Sequence, residues 1–218
     1  MEQIYFNPGC ALCIYKPDME ARILTHLRKR YPDIAPHKIC CRHDPKITGE
    51  ALILNVCAGC DRRFRSLYPG IRTISLWEVL DQADDFPYPD YKGQTISIHD
   101  ACPVRDRPAV HDAIRSLLRK MNFNIVEAKR NRQKAPCCGD DFYPDLPLPE
   151  VHAKMKSRAE EMPTEEVAVY CVSCIKAMHI GGKTPRYMID LLFGEPTTPD
   201  VYDTVEWHKQ LQDYIDAH

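Results

Sequence analysis

Cysteine constrains this chain more than any other residue. Eleven of the 218 residues are cysteines, and ten of them fall into two copies of one pattern. The first copy is Cys10, the vicinal pair Cys40-Cys41, then Cys57-x-x-Cys60; the second is Cys102, the pair Cys137-Cys138, then Cys171-x-x-Cys174. Cys13 stands outside both. A repeat of this kind is the first thing to establish, because missing it misassigns the whole chain. In a reducing compartment so many thiols are poor candidates for structural disulfides, and clustered cysteines there point to metal binding or redox chemistry. Burial as small apolar side chains accounts for one or two of them, but not for their spacing.

The flanking segments repeat too. In the second copy the run Thr95–His99 reads as a strand leading to Cys102. A helix is expected from about Arg107 to Lys120, with Val110, Ile114, Leu117, Leu118 and Met121 on one buried face. A strand near Phe123–Val126, a polar loop carrying Cys137-Cys138-Gly139, a helix near Glu150–Glu161 and the β-branched run Val167–Tyr170 follow. The first copy runs from a strand at Ile4–Phe6 through a helix striped by Met19, Ile23, Leu27 and Tyr31, which Pro32 ends, to a strand at Ala51–Val56. Between the pair and the C-x-x-C lie 15 residues in the first copy and 32 in the second. The helix near 150–161 therefore has no counterpart in the first. Alternating strands and helices predict an α/β fold of two pseudo-repeated, Rossmann-like halves with mainly parallel sheets. The halves are expected at 1–92 and 93–218, the second including a C-terminal helix, with the proline-rich acidic stretch 84–93 as the linker. All ten cysteines then follow strands, at the carboxyl edge of a sheet, where open α/β proteins place their sites.

Three chemistries suit such sets. One tetrahedral zinc suits C-x-x-C, but five thiols overfill it and adjacent side chains diverge. An iron–sulfur cluster spreads several irons over a few ångströms, so neighbouring cysteines can bind different irons. The third is a dithiol module without a metal. Arg42, Arg62, Arg63, Arg65, Arg105, Arg107, Arg130 and Arg132 lie near the sets and would offset an anionic cluster. Helix N-termini at the C-x-x-C motifs favour thiolates. Iron–sulfur binding is the leading expectation.

Cys102, Cys137-Cys138-Gly139 and Cys171-Val172-Ser173-Cys174, preceded by His99-Asp100-Ala101, resemble the cysteine-rich CCG family. That family is known from the disulfide-reducing subunit of heterodisulfide reductase and from iron–sulfur subunits of glycolate oxidase and lactate-utilisation enzymes. The resemblance implies two ligand sets, Cys10, Cys40, Cys41, Cys57, Cys60 and Cys102, Cys137, Cys138, Cys171, Cys174. Each would hold a [4Fe-4S] cluster, with the noncubane type and disulfide reduction as in heterodisulfide reductase. It also implies a redox partner, an iron–sulfur or flavin subunit, and a small disulfide substrate. The first copy departs from the pattern in reading Cys40-Cys41-Arg42, in its short final gap and in Cys13.

Other residues weigh less. His99 and His43 sit near the sets as candidate proton donors. Gly181-Gly182-Lys183-Thr184 lacks the spacing of a phosphate loop and reads as a helix–helix connection. Trp207, Leu211, Tyr214 and Ile215 mark one face of a C-terminal helix. A net charge of -2 without a basic, aromatic-laced run gives no reason to expect nucleic acid. The longest apolar run, Ala51–Cys60, falls short of the roughly 20 residues that cross a bilayer, so the expected location is the cytoplasm. A pure electron-transfer module and a zinc-stabilised interaction domain are the competing functions.

Overall fold

In the computed structural model, which describes residues 2–199 and 203–218, the apolar runs become short parallel strands. The first unit runs to Phe86 and takes in Glu206–His218; the second is Pro87–Val205. The boundary falls inside the expected linker. Residues after it join the second unit, where Tyr91 stacks on Phe123 at 4.4 Å and its hydroxyl donates to the Leu191 carbonyl.

The first unit contains strand β1 (Gln3–Asn7), helices α1 (Cys10–Tyr15) and α2 (Asp18–Arg30), strands β2 (Ala35–Pro36) and β3 (Ala51–Asn55), helix α3 (Ala58–Leu67), strand β4 (Ile71–Ser75) and helix α4 (Leu76–Asp81). Its sheet has the order β2-β1-β3-β4, parallel throughout. In the second unit β5 (Thr95–His99) is followed by a 3-10 turn at Cys102–Val104, α5 (Pro108–Lys120), β6 (Asn124–Ile125), α6 (Leu148–Glu160), β7 (Glu166–Val169), α7 (Val172–Ile180), β8 (Thr184–Tyr187) and α8 (Met188–Phe193). The order β6-β5-β7-β8 repeats that of the first sheet. Both halves are Rossmann-like, as the repeat predicts.

Why these residues form these elements follows from burial. Ile53 and Leu54 of β3, Ile96 and Ile98 of β5, and Val167 to Val169 of β7 are at most 1% exposed, as expected of strands covered on both faces. The predicted stripe of α5, Val110, Ile114, Leu117 and Leu118, is buried to the same degree. Along α6 the buried Val151, Met155 and Ala159 recur every fourth residue and form one face. Between β2 and β3 no helix occurs, so the shortened gap of the first copy does lack a crossover helix.

Two expectations change. Gly181-Gly182-Lys183-Thr184 connects α7 to β8, a strand that paired Thr184 begins, and not one helix to another. The strand tolerates Pro185 because it is the sheet's edge. The C-terminal helix α9 (Thr204–Ala217), expected with the second half, belongs from Glu206 onward to the first unit. Its periodicity predicts a buried face, and Trp207 and Ile215 are buried, but periodicity alone does not say against what.

Helices α6 and α7 meet closely at Gly181, where an added Cβ would stand 2.3 Å from the Ala159 Cβ and 3.0 Å from the Met155 carbonyl oxygen. Gly181→Ala should therefore force the helices apart and cost about 1–3 kcal/mol. Denaturant unfolding measures it, and an unchanged midpoint would contradict this packing.

Candidate functional site

Strand register sets the positions of the cysteines. In the first sheet Asn7 lies opposite Asn55 and Asn55 opposite Ser75; in the second His99 lies opposite Val169 and Val169 opposite Tyr187. The strands thus end level, and the chain runs on into Cys10, Cys57, Cys102 and Cys171 within three residues. Cys10 begins α1, Cys102 begins the 3-10 turn, and Cys57 and Cys171 cap α3 and α7, which carry Cys60 and Cys174. The vicinal pairs sit in the loops that follow β2 and β6.

All five thiols of each set come together, and in the same order. Cys10 meets Cys40, Cys40 meets Cys41, Cys41 meets Cys60, and Cys60 meets Cys57. In the second set Cys102 meets Cys137, Cys137 meets Cys138, Cys138 meets Cys174, and Cys174 meets Cys171. Within each vicinal pair one thiol turns to the single cysteine and the other to the C-x-x-C. None of the eleven cysteines is in a disulfide.

The shared hydrogen bonds separate the thiols in acidity. Cys40 is lowered to about 2 by the thiols of Cys10 and Cys41, with the Arg42 N–H assisting. Cys137 is lowered to about 2 by Cys102 and Cys138, and the Gly139 N–H donates to its Sγ at 3.4 Å. The thiols beside them move up: Cys10 and Cys102 chiefly because their protons serve those thiolates, and Cys41, for the same reason, to about 12. Cys57 falls to about 7, first through the Cys60 thiol and then through N–H groups at the start of α3. Each set is thus a path of thiols that share protons along it, and thiolates are the form that binds metal.

The two sites differ in their frames. Gly139 has φ 111°, and an added Cβ would lie 2.8 Å from both Cγ and N of Met155 on α6. Only glycine fits where α6 presses on the loop. The first unit has no such helix, and Arg42 occupies the equivalent place without positive φ. The missing glycine and the missing helix are therefore one departure. In the first site a different glycine is pinned: Gly9, φ 78°, passes so close to Cys57 that a Cβ would come within 2.8 Å of its Cβ.

Helix α9 closes the first site. The Cys40 N–H donates to the His218 carbonyl at 3.3 Å, and the exposed His43 bonds through Nε2 to the Ile215 carbonyl at 2.7 Å. The Tyr214 hydroxyl donates to Cys13, and both line a cleft with Lys38, Cys10, Cys40, Cys41 and Cys60. Cys13 is thus beside the set while bonded to tyrosine. Sequence spacing gave no sign of Tyr214 here.

The second site has a buried charged frame. Arg115, fully buried, holds Asp100 through two bonds of 2.9 Å and Glu127 through bonds of 2.7 and 2.8 Å. Asp100 also accepts from the Arg132 N–H at 2.6 Å and the Tyr170 hydroxyl at 3.2 Å, which fixes the turn into Cys102. The arginines expected to offset cluster charge mostly hold other groups. Arg63 donates to the Cys41 carbonyl and Arg105 to the Ala135 carbonyl, bracing the two vicinal loops, while Arg65, Arg130 and Arg132 pair with Asp61, Glu161 and Asp112.

His99, expected near the second set, lies beside it. It is fully buried, and burial, helped by the charge of Arg158, lowers its pKa to about 3. One of its ring nitrogens lies within 4.8 Å of the Cys138 and Cys174 sulfurs, a grouping able to hold a metal ion. The donor set fits a metal group: five thiols per half joined in one path of pairwise contacts, more than one zinc takes. No protein-family model matches the chain, and no curated protein matches it.

Removing the glycine should separate the two loops. Gly139→Ala is expected to lower the unfolding midpoint by about 2 kcal/mol in stability, whereas Arg42→Gly should change it by less than about 1 kcal/mol. Equal losses in the two variants would contradict the α6 explanation.

Proposed function

We propose that each five-cysteine set binds an iron–sulfur cluster, and that the protein is an oxidoreductase component of the CCG type, resembling the disulfide-reducing subunit of heterodisulfide reductase. The observation that carries this reading is the path of sulfur contacts, the same in both halves, in which adjacent cysteines face different partners. A single zinc needs four donors converging on a point. Five donors strung over several ångströms suit a group with several metal atoms, whose irons cysteine thiolates hold separately.

Cys10, Cys40, Cys41, Cys57 and Cys60 would hold one group and Cys102, Cys137, Cys138, Cys171 and Cys174 the other. A bound cluster supplies one-electron transfer, and two of them match the two electrons that a disulfide takes up. The protein residues do the rest. The Arg115–Asp100 pair holds the turn at Cys102, α6 packs against Gly139, and the end of α9 is tied to the loop of Cys40 in the first set. The partial exposure of Cys10, Cys57, Cys102, Cys137 and Cys171 leaves one side of each set open to a partner or a small disulfide. Electrons would come from a partner protein, an iron–sulfur or flavin subunit. An electron-transfer module without its own substrate is the second reading, favoured by the complete burial of His99 beside the second set.

Anaerobic reconstitution with iron and sulfide tests the proposal. Wild-type protein should hold iron and acid-labile sulfide at both sites. Cys138→Ser should lose about half of it, Cys41→Ser the other half, and Cys13→Ser none. A colourless protein with stoichiometric zinc would overturn the reading. Turnover of small disulfides by the reduced protein then separates the oxidoreductase from the carrier.

A further inference from the structure

We infer that His99 is a hydrogen-bond donor to the sulfurs of the second set, not a metal ligand, and that it makes the second site easier to reduce than the first. The inference rests on the cluster reading above.

The grouping of His99 with Cys138 and Cys174 within 4.8 Å looks at first like a three-donor metal site. The partner of the other ring nitrogen decides otherwise. A histidine that ligates a metal gives up the lone pair of one nitrogen and carries its hydrogen on the other, which donates to a carboxylate, carbonyl or water. Here Nδ1 faces a donor: Arg158 Nε–H reaches it at 3.1 Å. A guanidinium does not give up its proton and has no acceptor. Nδ1 must therefore supply the lone pair, and the hydrogen sits on Nε2. Arg158 cannot turn away, because its other nitrogens are held by Glu161 at 2.7 Å and the Arg130 carbonyl at 3.2 Å. Nε2 has no partner among the described residues and is sealed from water. It is an N–H left for the sulfurs, in a buried place where an unmet donor is costly.

Among the described residues, the equivalent position of the first site offers no such donor. Asn7 stands in the equivalent place, at the end of the central strand and three residues before Cys10, as His99 stands before Cys102. Its Nδ2 hydrogens go to His37, at Nδ1 and at the carbonyl, both 3.3 Å. What remains is Oδ1, an acceptor with no partner. An N–H pointed at a thiolate sulfur stabilises the more negative, reduced state of a bound cluster most, and such bonds tune cluster potentials. The second set has that N–H with a guanidinium behind it; the first has a carbonyl oxygen.

The test uses the full-length reconstituted chain and redox titration followed by electron paramagnetic resonance, with signals assigned from the Cys41→Ser and Cys138→Ser proteins. His99→Leu removes the N–H, and the shorter His99→Asn withdraws it. Both should move the second-site signal to lower potential and leave the first unchanged, and His99→Gln, which returns an N–H at similar reach, should restore it. Unchanged potentials in the first two variants would overturn the inference while the cluster reading stands. So would a directly bonded nitrogen coupling in the wild-type signal. Loss of the second signal from both variants, with the first retained, would make His99 a ligand and also overturn it. Wild-type protein without iron and sulfide would remove the underlying reading instead, before any variant is made.

Discussion

In each half of this protein, parallel strand pairing brings the ends of adjacent strands to one level. Asn7, Asn55 and Ser75 are aligned in one sheet, and His99, Val169 and Tyr187 in the other. Any residue two or three positions past those ends must lie near its neighbours along the same edge. That is where four of the cysteines stand, and the loops from β2 and β6 bring the vicinal pairs to them. Parallel strands need crossover connections, so cysteines that meet in space are separated by long stretches of sequence. Much of the local detail follows from crowding at that edge: Gly9 against Cys57, Gly139 against Met155, and thiolates that share the protons of their neighbours.

The halves share this plan and differ in what encloses it. The second is framed by α6 and by buried ion pairs. Arg115, Asp100 and Arg158 are each at most 2% exposed and each bonded several times over, the condition under which buried charge is tolerated. The first lacks α6 and is closed by α9 from the far end of the chain. The His218 carbonyl just past that helix holds the vicinal loop, and a tyrosine binds the extra cysteine. One repeat has thus kept its order of cysteine contacts in two different shells, which is how two similar sulfur sets acquire different surroundings.

The parts that could be read directly were the ones with long periodic patterns. The α2 and α5 stripes and the buried runs of β3, β5 and β7 are where the spacing places them. Short edge elements were not read. Strands β2 and β8 contain Pro36 and Pro185 and exist only because a neighbouring strand pairs with them. Helix α4 did leave a signal: Ser75 caps it and Glu78 bonds back to the Ser75 N–H at 3.0 Å, an S-x-x-E box that could have been recognised.

The amino-acid sequence by itself determined the repeat, the α/β class and the ten cysteines, because strand and helix periodicity and ligand spacing are local properties. It also showed that the second set is the fuller copy. Only the tertiary structure decided that the missing glycine and the missing helix have a single cause, that α9 belongs to the first unit, and that the Arg158 guanidinium faces Nδ1 of His99. Each of these depends on a contact between residues distant in sequence: Met155 with Gly139, His218 with Cys40, Arg158 with His99. No pattern along the chain encodes such a contact, since it forms only when separate elements pack together.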